Sequence, residues 1–190
     1  MRMRNAVVIA MGLLAAPAVA QERPDPAAVL AAQREALAAF AFIDGVWRGE
    51  ATTILPSGEK RTVVQTERIG PLLDGAVRLI EGRGYDATGG TAFNALGILS
   101  WDPRTKAYAM RSYAMGHAGD FAVQRTADGF SWEIPAGPAT IRYTAVVRDG
   151  TWTETGERTV PGRDPVRFFE MKLTRVGPSE WPAAGAIAPK

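Results

Sequence analysis

The chain holds a single histidine, His117, with Asp120 three residues after it and Arg111, Ser112 and Tyr113 just before it. These types serve proton transfer and anion stabilisation: an imidazole titrates near neutrality and acts as a general base or a haem ligand. A serine, a histidine and an aspartate would suggest acyl transfer, but Ser112 adjoins Tyr113 on a segment that reads as a strand. It lacks the sharp strand-to-helix turn that exposes a nucleophilic serine. His117 itself lies in Met115-Gly116-His117-Ala118-Gly119, a turn-like stretch expected to leave it exposed at a rim.

Side-chain alternation along strands singles out a second group. Arg111 shares parity with Tyr113 and Met115, Tyr143 with Ile141, Ala145 and Val147, and Phe169 with Met171 and Leu173. With those faces inward, Tyr113, Met115, Tyr143 and Phe169 would line an apolar cavity and Arg111 would anchor a polar group within it. These five are the candidate ligand-binding residues; no residue is assigned a catalytic role or a metal. Glu81 and Arg83 share parity with Val77 and Leu79 and would form a polar floor if that face is interior. Arg78, Glu133, Arg142 and Glu154 are expected on a solvated outer face. The glycines at Gly82, Gly84, Gly89 and Gly90 lack the helix and the Lys-Ser/Thr pair of a phosphate loop and read as turn or bulge positions.

Composition narrows the chemistry further. There is no cysteine, which removes thiol catalysis, thiolate metal sites and disulfide cross-links, so packing alone must hold the fold. The chain opens with Met1-Arg2-Met3-Arg4-Asn5, an apolar run from Ala6 to Ala16, and Ala18-Val19-Ala20 before Gln21. A basic start, a short apolar core and small residues before a cut have the form of a secretory signal peptide. The run is shorter than the roughly 20 residues needed to span a bilayer. Residues 1–20 are therefore expected to be removed, leaving a periplasmic or secreted protein with no membrane span. Removing Arg2 and Arg4 turns the 22 basic and 20 acidic residues into equal numbers, and the remaining charges are interspersed. No basic patch marks a nucleic-acid partner.

The elements that must position these residues follow from local pattern. Asp25 before Pro26 forms an N-cap with proline at the first helical position, and Pro26 to Phe40 is rich in helix formers, with Val29, Leu30, Leu37 and Phe40 on one face. Residues 21–42 form this helical segment. From Ile43 the texture becomes short runs of Val, Ile, Thr, Tyr and Trp with turn signals near every ten residues, giving about ten strands up to Val176. Residues 43–176 are one β domain, and 177–190 an irregular tail. Sequential antiparallel strands in that number close into a barrel or split into a sandwich.

Gly45-Val46-Trp47-Arg48-Gly49, opening the first strand directly after a helix, resembles the glycine-x-tryptophan signature of the lipocalin and calycin superfamily. With the turn Leu72-Leu73-Asp74-Gly75 and Ala95-Leu96-Gly97-Ile98-Leu99-Ser100-Trp101-Asp102, it is also similar to exported bacterial families of unknown function built on such a barrel. More remotely it resembles the haem-holding nitrobindins. The resemblance implies an all-β fold, an antiparallel up-and-down barrel of about ten strands with one N-terminal α-helix. It also implies that Trp47 closes one end, with Arg175 of the last strand packed across its ring as a structural contact. Nitrobindin-like barrels take their haem-ligating histidine from near the C-terminal strands, where this chain has none. No cofactor is therefore expected, haem included.

Together these features point to an exported binding protein, more a carrier than an enzyme, for a small and largely apolar molecule. The alternatives are an enzyme acting on a small hydrophobic substrate in the same cavity, with Tyr113, His117 or Arg111 as its polar groups, or an envelope interaction protein whose barrel is filled. Oligomeric state is not legible.

Overall fold

A computed structural model describes residues 25–180. The expected signal segment and most of the expected tail lie outside the described residues. Asp25 caps the helix as its sequence position implies, its Oδ1 accepting from the Ala27 N–H at 3.1 Å. Helix α1 (Pro26–Ala38) ends two residues before Phe40. Its inner face is narrower than the sequence pattern suggests: Leu37 and Phe40 are fully buried, whereas Leu30 is exposed. A single turn at Ala41–Ile43 then delivers the chain into the sheet.

Ten strands follow: β1 (Gly45–Ile54), β2 (Lys60–Leu72), β3 (Val77–Tyr85), β4 (Thr91–Asp102), β5 (Ala107–Ala114), β6 (His117–Arg125), β7 (Gly129–Ala136), β8 (Ala139–Arg148), β9 (Thr151–Thr159) and β10 (Val166–Gly177). Each pairs antiparallel with its neighbours in sequence, and β1 pairs with β10, so the sheet is a closed up-and-down barrel without free edges. The largest departure from the sequence pattern is β6, which begins at His117 rather than Phe121. Met115 and Gly116 both take positive φ, 49° and 84°, and form a two-residue hairpin that lets pairing resume at once.

Alternation then decides what fills the barrel. The end where β1 starts is packed solid by Trp47, Ile69, Leu99, Val123, Phe130, Ala145, Trp152 and Leu173, and the helical segment seals it. Phe40 stacks edge-on to Tyr108 with ring centroids 5.0 Å apart, and the Tyr108 hydroxyl donates to the Ala36 carbonyl at 2.9 Å. Arg78 locks this plug from inside: its guanidinium donates to both carboxylate oxygens of Asp44, at 2.6 and 2.7 Å, and to the Leu37 carbonyl. The last helical carbonyls have no partner within a helix. An inward arginine supplies one here. Arg78 is 5% exposed, which corrects its expected place on the outer face.

Trp47 is 1% exposed, and its indole N–H donates to the Ile43 carbonyl at 2.8 Å. Arg175 pairs with it across β1 and β10, its guanidinium carbon 5.5 Å from the ring centroid, and also donates to the Asp44 carbonyl. Arg78 and Arg175 thus fasten the same short connection to the barrel from two sides. Among the described residues no helix is long and apolar enough to cross a membrane.

Candidate functional site

Away from the plug the barrel is hollow. A cavity of about 450 Å³ occupies its open half, lined chiefly by apolar and aromatic side chains that include Phe93, Met110, Phe130, Trp132, Tyr143 and Phe169. Glycines stand at inward positions on three of its strands: Gly82 on β3, Gly97 on β4 and Gly156 on β9. A Cβ at Gly82 would stand 2.8 Å from a Glu67 carboxylate oxygen, and one at Gly156 would meet Tyr143 and Phe169 at 2.9 Å. The missing Cβ at each position makes room for a neighbouring side chain: Glu67 over Gly82, Met110 over Gly97, and Tyr143 and Phe169 over Gly156.

The sequence candidates divide between the two faces. Tyr143 and Phe169 line the cavity, with ring centroids 5.7 Å apart and their planes steeply inclined. Tyr143 also stacks on Trp132 at 5.0 Å, which makes an aromatic wall. Tyr113 and Met115 face solvent instead, 46% and 57% exposed. On β5 the inward residues are Met110, Ser112 and Ala114, the opposite parity, and Met115 belongs to the hairpin turn. Arg111 is likewise outside, bonded to Asp120 at 2.5 Å and lying 5.5 Å from the Tyr113 ring. It therefore anchors nothing in the lumen. The short span from β5 to β6 explains the Arg111–Asp120 pair, which are register partners. His117 is exposed at the start of β6 and is absent from the cavity lining.

The expected polar floor of Glu81 and Arg83 also lies outside. Glu81 accepts from Arg68 and Arg83 at 2.9 Å each. Burial pushes its carboxyl up, but the hydrogen bonds from Arg68 and Arg83 override this and hold it below the ordinary range.

A different polar group is inside. Glu67 of β2 and Glu154 of β9 are both buried at 8% exposure and both line the cavity. Gln65 donates from its amide to Glu67 at 2.7 Å, the one side-chain hydrogen bond to that carboxylate among the described residues. Burial raises the Glu67 pKa to about 8; the bond from Gln65 opposes the rise, and the neighbouring charges of Glu154 and Glu81 add to it. Burial likewise raises Glu154 to about 8, and the adjacent Trp152 indole opposes the rise too weakly to cancel it. That indole N–H is directed at the Glu154 carboxyl but short of close hydrogen-bonding geometry, and it has no other acceptor among the described residues, although Trp152 is 2% exposed. Tyr143 is pushed up to about 12, first by burial and then by the charge of Glu154.

No salt bridge reaches Glu67 or Glu154 among the described residues, and Arg78, the buried cation of the plug, is held by Asp44. The lining contains one basic side chain, Arg61, which is exposed at the mouth. No cluster of three or more His, Cys, Asp or Glu able to hold a metal ion occurs among the described residues. The open half is therefore an apolar chamber whose inner wall carries two carboxyl groups, an amide and the Trp152 indole.

Sequence reasoning placed Glu154 outside and passed over Glu67. The signals were present in weak form. Trp152, Glu154 and Gly156 share parity with one another, as do Val63, Gln65, Glu67 and Ile69, so each glutamate lies on the face of an apolar neighbour.

Neither a family model nor the sequence of a curated protein matches the chain. Among solved structures, the chain is similar to the crystal structure of Rv2717c from M. tuberculosis, with a TM-score of 0.56 and 12% identity. The match covers 74% of this chain and 96% of that one, and at this identity it concerns the fold.

Proposed function

We propose that this protein binds one small, largely apolar molecule inside the barrel, as a lipocalin-like carrier exported to the periplasm. The observation that carries the reading is the cavity of about 450 Å³, whose wall is aromatic and apolar apart from a few convergent polar groups. That is the usual constitution of a small-molecule site. A barrel that served only as an interaction surface would gain from filling this space, because each void of side-chain size costs about 1 kcal/mol or more in lost packing.

The test is uptake of an environment-sensitive fluorophore at about one site per folded chain, with native mass spectrometry of protein purified from its own source to identify the resident molecule. Absence of saturable uptake would refute the reading. Export rests on residues 1–20, and recovery of the mature protein beginning at Gln21 checks it.

A second reading is favoured by Glu67 and Glu154. Carboxyls raised to about 8 hold a proton at neutral pH and can still give it up, the requirement for a general acid. On that reading the cavity is an active site for proton transfer on a hydrophobic substrate. A bound molecule recovered chemically altered after incubation supports the enzyme, and one recovered unchanged supports the carrier.

A further inference from the structure

We infer that the molecule bound in this cavity is an organic amine, its ammonium seated between Glu67 and Glu154 and its apolar body directed along the aromatic wall to the mouth. The inference rests on the binding reading above and names the chemical class of the ligand.

Two carboxyls lie buried in one chamber, each feels the other or the low-polarity wall, and no lysine, arginine or histidine pairs with either among the described residues. A buried charge without a partner is unfavourable by several kcal/mol. The empty chamber avoids this by keeping the groups protonated, which is what their raised pKa values describe. A cation entering between them removes the cause. One carboxyl releases its proton to solvent, the ammonium arrives already protonated, and a charge-assisted contact replaces two neutral groups. An anionic ligand gains nothing here, because its charge would add to a site already short of positive charge.

An ammonium is a compact charge with three donors and no acceptor. Glu67 and Glu154 offer four carboxylate oxygens, and Gln65 occupies one of them. The Glu67 carboxylate packs over Gly82, where a Cβ would stand 2.8 Å from the oxygen that accepts from Gln65. The groups facing this spot from the surrounding strands are Gln65 and Glu67 of β2, Tyr143 of β8, and Trp152 and Glu154 of β9. None is a cation.

Phe130, Trp132 and Tyr143 form a stacked run with successive centroids 5.6 and 5.0 Å apart, and Phe169 stands edge-on to Tyr143. Such faces attract a cation through their quadrupoles and also cover an apolar body. The mouth adds Phe93, Ile134 and Phe168 beside the exposed Arg61, so the buried carboxyls are confined to the inner end. A head-and-body ligand matches that division.

Calorimetric titration at pH 7.5 with three molecules of one shape, 1-naphthylmethylamine, 1-naphthylmethanol and 1-naphthoate, tests the inference. The amine is expected to bind about tenfold or more tighter than the alcohol, as a charge-assisted contact does over a neutral one, with the acid weakest. In the Glu67→Gln, Glu154→Gln double variant that preference is expected to fall to about threefold or less while the alcohol still binds, which shows that the barrel remains folded and hollow. An alcohol or acid that binds as tightly as the amine to the unmodified protein overturns the amine inference and leaves the cavity reading standing. So does a preference that persists in the double variant. Failure of all three molecules, together with no fluorophore uptake, overturns both.

Discussion

Glu67 and Glu154 should make the stability of the empty protein fall as pH rises through neutrality, the reverse of the usual acid lability. Both carboxyls are raised from 4.5 to about 8 in the folded state. An acid raised on folding contributes no penalty below its unfolded value, where both states hold the proton. Between the two values the folded state binds a proton that the unfolded state lacks, and stability declines with slope 2.303RT times the difference in bound protons. Two such groups give about 2.7 kcal/mol per pH unit, and one gives about 1.4. Over the full shift each carboxyl amounts to at most about 5 kcal/mol, a large share of the 5 to 15 kcal/mol that a domain usually has. Water reaching the open lumen lowers that ceiling, so the slope is the quantity to measure.

Urea unfolding followed by tryptophan fluorescence from pH 4.5 to 9 reads it directly. The expected profile declines by about 1.4 to 2.7 kcal/mol per unit between pH 5 and 8 and flattens beyond. The window is clear of the stabilised carboxylates: Asp86, held low by Thr88, and Asp102, held low by the Arg104 N–H, lose their contribution only in stronger acid. Glu67→Gln keeps an oxygen for the Gln65 amide and removes one titrating group. It should match the unmodified protein at pH 4.5, exceed it in stability at pH 8.5, and lose about 1.4 kcal/mol per unit of slope. A flat profile, or a Glu67→Gln protein with an undiminished slope, would refute the account of the buried pair.

Three further expectations concern single residues. Trp47→Ala should lower stability by about 3 to 5 kcal/mol, as large core truncations do, since it empties the closed end and leaves the Ile43 carbonyl and Arg175 without their contacts; urea unfolding checks it. Tyr143→Arg should abolish fluorophore uptake by placing a tethered cation in the lumen, where it takes up the Trp132 face and the Glu154 carboxyl in the dye's place, and uptake unchanged in that variant would put the dye elsewhere. Hemin titration should give no sharp stoichiometric Soret shift, because His117 is exposed and does not line the cavity. A shift abolished by His117→Ala would reverse that expectation.

The architecture was legible because turn chemistry and β-rich runs are local signals. All ten strands stand where Val/Ile/Thr/Tyr/Trp segments alternate with Gly, Pro and Asp turns, and the capped helix begins at Pro26. The facing of each strand was legible only where one face is uniformly apolar. On β8, Ile141, Tyr143, Ala145 and Val147 oppose Arg142 and Arg148, and Tyr143 and Ala145 do point inward. On β5, Tyr108 and Tyr113 have opposite parity, so pattern alone could not choose, and the packing of Tyr108 under Phe40 decided it. Glu67, Glu154 and Arg78 were illegible for a different reason. A charged residue reads as solvated by default, and what keeps these three inside comes from other elements: the gap at Gly82, the wall around Trp152, and the helix end with Asp44.

Arg78 makes that dependence measurable. Its side chain is 6% exposed and bridges the Asp44 carboxylate and the Leu37 carbonyl, joining the helical plug to the barrel floor. Arg78→Met keeps most of the bulk but strands the Asp44 charge, 25% exposed, beneath the plug. Removing one partner of a buried pair costs about 3 to 5 kcal/mol, whereas removing both is far milder. The Arg78→Met, Asp44→Asn double variant should therefore recover much of the loss, a coupling that a double-mutant cycle in urea would resolve. If Arg78→Met unfolds within about 1 kcal/mol of the unmodified protein, or Asp44→Asn gives no recovery, then apolar packing of Leu37, Phe40 and Ile43 alone holds the plug. The arginine would then be a passenger inside the barrel rather than its lock.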